Sequence, residues 1–102
     1  MGTDPAESRP ATFALRQNIP NPFNPSTRIN FALISRQHVS LEIFDILGKH
    51  VRTLADEAME PGNHSIVWDG KDEAGRDVSS GIYLYLLRTE NFSEIKRMVL
   101  VR

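Results

Sequence analysis

The sequence predicts an all-β protein, an antiparallel sandwich of about seven short strands. Apolar side chains recur at every second position in six segments, as they do along a strand with one buried face. Glycine and proline separate these segments about every 8–12 residues, a spacing typical of β-sandwiches. The length of 102 residues suits one domain with a single modest core.

The predicted strands follow one another between these turn residues. The first is short and spans residues 12–16. The sixth is apolar on both faces and is therefore predicted to be central in its sheet. For residues 54–60 we expect a single helical turn, which Pro61 and Gly62 end. The alternating positions that define the other six strands are Ile29, Phe31 and Leu33; Val39, Leu41 and Ile43; Val51 and Thr53; His64, Ile66 and Trp68; Tyr83, Tyr85 and Leu87; and Glu94, Lys96, Met98 and Leu100.

Two segments near the start of the chain differ from this pattern. Residues 1–10 are polar and contain prolines, so we expect a flexible tether or a remnant of cloning, with the folded domain spanning 11–102. Residues 18–27 contain Pro20, Pro22 and Pro25. Each proline restricts its own φ and keeps the preceding residue out of the helical region. The segment is therefore predicted to be a rigid, extended loop.

Composition excludes several classes of protein. Twelve Lys and Arg against thirteen Asp and Glu give a formal net charge of −1, so nucleic acid is not an expected partner. No apolar run is long enough for a transmembrane helix, and residues 1–10 do not have the pattern of a secretory leader. Cysteine is absent, which excludes disulfides, thiolate metal sites and cysteine nucleophiles.

The chain shows no arrangement typical of an enzyme or a cofactor site. His38, His50 and His64 are not spaced as zinc ligands, and no nucleophile-elbow motif is present. We therefore predict a non-catalytic protein without a cofactor. The acidic loop 69–77 is the best metal candidate, but Lys71 stands where a calcium site would need a second carboxylate. A pair of tight turns is the favoured interpretation, and calcium binding is the alternative.

The aromatic residues also allow two interpretations. Their strand positions and spacing favour a hydrophobic core, and a carbohydrate-stacking platform is the alternative. The residues in question are Phe31, Phe44, Trp68, Tyr83 and Tyr85.

Five motifs occur in a fixed order along residues 15–102, and together they carry a family resemblance. They are QNIPNPFNPST at 17–27, LEIFDILGKHVRTL at 41–54, GNHSIVWDG at 62–70, SGIYLY at 80–85 and KRMVL at 96–100. In this series the chain resembles the C-terminal sorting domain of type IX secretion substrates (type A) and the related Ig-like domain of the flagellar hook-cap protein. The resemblance implies that the predicted sandwich is Ig-like.

The resemblance also implies roles for individual residues. Phe23 is expected to anchor the proline-rich loop at an edge of the sandwich, and Asp45 and Gly48 to form the hairpin turn after the third strand. Tyr83 resembles the corner tyrosine of Ig-like sandwiches. The predicted motif and recognition residues are Pro20, Asn21, Pro22, Phe23, Asp45, Gly48, Gly81, Tyr83 and a small basic terminus of Lys96, Arg97 and Arg102 on a last strand at a sheet edge.

The function implied by the resemblance is that of a sorting and interaction domain. It would direct a larger bacterial protein across the outer membrane to the cell surface or the medium. The expected partners are the outer-membrane secretion machinery and an upstream cargo domain of the parent protein, and the isolated domain is expected to be a monomer. The alternative is a structural Ig-like module used in assembly or adhesion.

Overall fold

The structure, a computed structural model, describes residues 13–102 and is a sandwich of two antiparallel sheets. This confirms the predicted Ig-like all-β fold. The predicted tether lies outside the described residues. In the part that the structure describes, no helix is present, and hence none that could cross a membrane. The strands are β1 (Ala14–Leu15), β2 (Thr27–Leu33), β3 (Gln37–Asp45), β4 (His50–Met59), β5 (Gly62–Trp68), β6 (Gly81–Arg88) and β7 (Ser93–Leu100).

The strands divide into a three-stranded and a four-stranded sheet. The first has the order β1-β2-β5 and the second has the order β4-β3-β6-β7. Strand β6 lies between β3 and β7, so its predicted central position is confirmed. Strand β7 lies at an edge, as expected. The first strand is shorter than the predicted 12–16, because only Ala14 and Leu15 pair with β2.

The core lies between the two sheets and is built from the alternating positions that the sequence indicates. Trp68 is fully buried, with its ring centroid 5.7 Å from that of Phe23 and 5.3 Å from that of Tyr83. Because Phe31 and Tyr85 are buried as well, the carbohydrate platform is excluded, and the core interpretation is confirmed for four of the five aromatic residues. Phe44 is half-buried and packs edge-on against His50, outside the core. The buried cluster comprises Leu15, Phe23, Ile29, Phe31, Leu33, Val39, Leu41, Ile43, Ala55, Trp68, Tyr83, Tyr85, Leu87, Met98 and Leu100.

The helical turn expected at 54–60 is wrong, because β4 continues through this stretch to Met59. Its residues pair with β3 as far as Gln37, and the ladder satisfies backbone groups that a single helical turn would leave open. The pairing skips Leu54, since Leu41 faces Ala55 and the next residue of β3 faces Thr53. Such a bulge interrupts the alternation of inward and outward side chains, so the sequence does not show the two-residue period of a strand here.

The proline-rich segment also departs from the prediction, since it bends at residues 20–22 and 24–25 instead of running extended. Ile19 pairs with Arg28 of the three-stranded sheet, whereas Phe23 pairs in parallel with Leu100 of the four-stranded sheet. The chain must turn between the two because these partners belong to opposite layers of the sandwich. Phe23 is buried there, so its predicted role as an anchor is confirmed.

Candidate functional site

The proline-rich loop is hydrogen-bonded along the outer edge of β7. The N–H of Phe23 donates to the carbonyl of Val99 at 2.9 Å, and the N–H of Val101 donates to the carbonyl of Phe23 at 2.9 Å. Two residues earlier in the loop, Oδ1 of Asn21 accepts the N–H of Val99 at 2.9 Å. The loop therefore adds a short strand to the end of β7 and closes that part of the sheet edge.

A buried network of polar groups also fixes the position of the proline-rich loop. The hydroxyl of Tyr85 donates to the carbonyl of Arg16 at 2.7 Å and accepts the N–H of Asn18 at 2.9 Å. The Asn18 side-chain amide donates to the carbonyl of Pro20 and to Thr27 Oγ1 at 3.1 and 3.0 Å. Sequence reasoning placed Tyr85 in the core and missed this role. The available signal was a tyrosine, which carries a polar hydroxyl, at a core position of a central strand.

Removing the Tyr85 hydroxyl is expected to destabilise the fold. In Tyr85→Phe the buried N–H of Asn18 loses its acceptor, at a cost of about 1–3 kcal/mol in the free energy of unfolding. Urea denaturation at pH 7 measures the loss. Tyr83→Phe is the matched control, because among the described residues the Tyr83 hydroxyl makes one hydrogen bond, to the carbonyl of Ser79, and accepts none from a buried amide. Equal stability of Tyr85→Phe and the parent would contradict the role given to this network.

The pKa of Tyr85 predicts that the free energy of unfolding depends on pH. Burial raises the pKa of Tyr85 to about 12 from its usual value of 10.0. The unfolded phenol ionises above its usual pKa while the folded one stays protonated. The resulting stability is therefore fully present below about pH 10 and is lost as the pH rises towards 12. Across this range the free energy of unfolding should fall less steeply in Tyr85→Phe than in the parent.

Arg102 fixes the chain beyond β7 to the segment 70–80, at a point where Pro25 of the proline-rich loop is also close to Gly70. Its Nη2 donates to the carbonyl of Gly70 at 2.6 Å, its Nε donates to the carbonyl of Val78 at 2.5 Å, and its backbone N–H donates to Ser80 Oγ at 2.9 Å. Gly70 has a φ of +74°, and a Cβ there would lie 2.9 Å from Arg102 Nη2. Only glycine suits this approach.

The turns predicted within loop 69–77 are present. Oδ1 of Asp72 accepts the N–H groups of Ala74 and Arg76 at 3.0 and 2.9 Å, and the bond from Arg76 is the largest cause lowering the pKa of Asp72. The hydrogen bond from Lys71 Nζ to Asp77, 2.9 Å long, is the main cause lowering the pKa of Asp77. These carboxylates are thus already paired with donors from the loop itself.

The hairpin turn after β3 and the corner tyrosine lie at a cleft that loop 69–77 also lines. Oδ1 of Asp45 accepts the N–H groups of Leu47 and Lys49, both at 2.9 Å, and Gly48 has a φ of +86°, which confirms the hairpin turn. The Tyr83 hydroxyl donates to the carbonyl of Ser79 at 2.6 Å, the bond expected of a corner tyrosine. Asp45 and Tyr83 line one cleft of about 510 Å³, and Gly81 begins β6 opposite Leu100.

The small basic terminus predicted from Lys96, Arg97 and Arg102 is not a single cluster. Successive side chains of β7 point to opposite faces, so Lys96 lies on the same face as Met98 and 3.3 Å from Glu94, while Arg97 lies on the outer face. Arg102 is held by loop carbonyls. Inward-pointing charges on an edge strand, such as Lys96, discourage pairing with a further strand.

Comparison with known proteins finds one matching family model and several solved structures of similar fold. The family model of the FlgD Ig-like domain matches residues 21–91. The fold is similar to part of dimeric latent PorU from Porphyromonas gingivalis, with a TM-score of 0.66 and 23% identity over 87% of this chain and 9% of PorU. FlgD from Xanthomonas campestris gives 0.60 and 23%, over 85% of this chain and 64% of FlgD.

PorZ of P. gingivalis gives a TM-score of 0.55 and 22% identity over 96% of this chain and 12% of PorZ. The chain thus spans less than two thirds of the length of each of these proteins. No curated protein sequence matches the chain significantly. The TM-scores indicate a shared fold, and at identities this low the likeness extends to the fold alone.

Proposed function

The chain belongs to the FlgD Ig-like domain family, and from this premise we propose that it is a non-catalytic sorting domain of a larger secreted bacterial protein. Machinery in the outer membrane reads the folded domain and carries the attached cargo to the cell surface or the medium. The motifs at 17–27, 80–85 and 96–100, which resemble those of type IX sorting domains, support this version of the family function.

The convergence of these motifs is the observation that carries the proposal. Asn21 and Val99 are hydrogen-bonded although 78 positions separate them in the sequence. The 17–27 loop covers the edge of β7, and β6 pairs with its other side. The end of β7 is thereby presented in one conformation, held by backbone and side-chain bonds. A machine that accepts unrelated cargoes needs such a shared, rigid feature, because rigid surfaces lose little entropy on binding.

The comparison with PorZ adds support at the level of the fold. PorZ is described as an essential bacterial surface component of the type-IX secretion system. A domain of similar fold therefore occurs in a protein of that system, which agrees with the proposed location of this chain at the cell surface or outside the cell.

A reporter fusion tests the proposal. Residues 11–102, placed after a periplasmic reporter in a bacterium with a type IX system, should send the reporter out of the cell. Removing Val101 and Arg102 leaves β7 complete but breaks the bonds from Val101 to Phe23 and from Arg102 to loop 70–80. Export should then fall sharply, because the end of β7 loses its contacts with the segment 70–80 and one of its three hydrogen bonds to the proline-rich loop.

Two controls make this test decisive. The truncated domain must stay folded, as shown by its circular dichroism and resistance to protease. Val67→Ser, on the exposed face of β5 in the other sheet, should export normally. An intact, folded fusion that remains inside the cell would contradict the sorting proposal.

Family membership also favours the alternative, a structural assembly module. FlgD from X. campestris is described in terms of hook capping essential for flagellar assembly. A folded domain that exports no reporter but is needed for its parent protein to assemble with neighbouring subunits would establish this second function.

A further inference from the structure

The outer face of β6 and β7 is apolar, although it lies on the surface. Three cross-strand pairs form it, Ile82 with Val99, Leu84 with Arg97, and Leu86 with Ile95. Ile82 is 39% exposed and Ile95 is 54% exposed. Outward faces of antiparallel sheets are usually polar, and contiguous exposed apolar patches typically mark interaction sites. Arg97 is the single charged side chain among these six positions.

A groove of about 360 Å³ crosses this face where it meets the proline-rich loop. Ile82 and Val99 supply its apolar part, and Gln17, Asn21 and Arg97 supply its polar part. Gln17 is fastened to β7, because its Nε2 donates to the Arg97 carbonyl at 2.6 Å. Asn21 is fastened through Oδ1, which accepts the Val99 N–H. The loop and the strand thus form the two sides of one preorganised groove.

Two donors of the groove have no acceptor among the described residues. Within residues 13–102, no hydrogen bond or ion pair uses the guanidinium of Arg97 or the amide nitrogen of Asn21. The other basic residues of the β7 end do have partners, since Lys96 lies near Glu94 and Arg102 near Asp77. Arginine and amide N–H groups together favour a carboxylate, which accepts charge-assisted hydrogen bonds.

We propose that this groove binds an extended segment of a receptor protein in which a carboxylate side chain lies two residues from an apolar side chain, so that both face the groove. The carboxylate meets Arg97 and the Asn21 amide, and the apolar side chain covers Ile82 and Val99. The assignment of the receptor to the secretion machinery rests on the proposed function. The binding chemistry itself rests on the groove.

The geometry favours side-chain docking on this face over addition of a strand to β7. Phe23 and Asn21 already occupy the backbone groups at the end of the β7 edge, and Lys96 points inward on the same strand. Both features oppose pairing with a further strand. A free inorganic anion would use Arg97 but would gain nothing from Ile82 and Val99.

A peptide titration tests the groove without reference to secretion. The probe is acetyl-Leu-Ala-Asp-Ala-Leu-amide, in which Leu and Asp share one face of the extended peptide, and the matched control probe is acetyl-Leu-Ala-Asn-Ala-Leu-amide. In nuclear magnetic resonance titrations of the 102-residue chain, the first peptide should shift the Asn21 side-chain amide, the Arg97 Nε–H and the backbone amides of Ile82 and Val99. The second should bind about tenfold more weakly or worse, because it lacks the charge that Arg97 pairs with. Equal affinity for the two peptides, or shifts confined to other surfaces, would overturn the proposal.

Variants link the groove to export. Asn21→Asp keeps the oxygen that accepts the Val99 N–H but replaces the amide donor by a negative charge, which repels the carboxylate of the ligand. Arg97→Glu replaces the positive charge of the groove by a negative one. Both should lower reporter export about tenfold or more with little change in thermal stability. Arg88→Glu is the matched control for Arg97→Glu, since it makes the same charge change at an exposed residue at the other end of β6, away from the groove. It should export like the parent.

The outcomes separate this inference from the proposed function. If the intact domain exports the reporter and both groove variants do so equally well, the groove is not the recognition surface and the inference fails alone. If the intact domain exports nothing, the sorting function fails, and the peptide titration still decides the binding chemistry. A dimer in sedimentation that Arg97→Glu abolishes would instead assign the groove to a second copy. A higher peptide affinity after removal of residues 1–10 would assign it to a carboxylate of that segment, Asp4 or Glu7, and either result overturns the receptor assignment.

Discussion

Trp68→Ala is expected to lower the free energy of unfolding by about 3–5 kcal/mol. The indole is completely buried between the sheets, where the rings of Phe23 and Tyr83 pack against it. Its Nε1 also donates to the carbonyl of Lys71 at 2.9 Å, and this bond holds the start of loop 69–77. The substitution therefore leaves a cavity between three elements and removes a bond to the loop that Arg102 also contacts.

Chemical denaturation of both proteins measures the loss, and Val67→Ala provides the matched control. Val67 is the preceding residue of β5 but points outward and is 51% exposed. Its truncation should change stability by about 0.5 kcal/mol or less, as expected for a surface position. If Trp68→Ala melted within a few degrees of the parent, the packing of the sandwich around this ring would be wrong.

Phe23→Ala is expected to destabilise the domain by a similar amount, about 3–5 kcal/mol, and to free the end of β7 as well. The ring is 2% exposed and packs on Trp68, while the backbone of the same residue bonds to Val99 and Val101. Loss of the ring removes the packing that keeps this backbone in place. Amide exchange at Val101 should therefore accelerate more than exchange in the centre of β3.

Phe23→Leu is the control that separates packing from loop position. Leucine fills most of the volume and keeps the loop anchored, so its cost should be about 1–1.5 kcal/mol and Val101 should stay protected. Uniform acceleration of exchange through the whole domain in Phe23→Ala would show only global unfolding. Unchanged exchange at Val101 in a folded Phe23→Ala would contradict the anchoring role.

The sequence alone determined the strands whose alternation is regular and the turns that need particular residues. In β3, Val39, Leu41 and Ile43 fall on one face because side chains alternate along any extended strand. The Asp45–Gly48 turn was predictable for a similar reason, since an aspartate that caps nearby amides and a glycine at positive φ act within four residues. Such preferences are local and can be read without knowing which strands are neighbours.

The local sequence predicts the wrong conformation where pairing between strands overrides the preference of the individual residues. Residues 55–58 are Ala, Asp, Glu and Ala, a composition that suits a helix, yet they form the edge strand β4. The ladder with β3 supplies the backbone hydrogen bonds, and the bulge at Leu54 removes the regular alternation that would have marked a strand. Here the partner strand decided the conformation.

The candidate site depended most on tertiary structure. The motif residues Asn21 and Phe23 were evident in the sequence, but their pairing with Val99 and Val101 joins segments nearly the whole chain apart. The sequence likewise grouped Lys96 with Arg97, and the pleat of β7 placed them on opposite faces. Composition and spacing determined which side chains this protein has available for recognition. Only the packing of two sheets decided which of them meet, because contacts between distant segments depend on strand order and register, which local sequence does not encode.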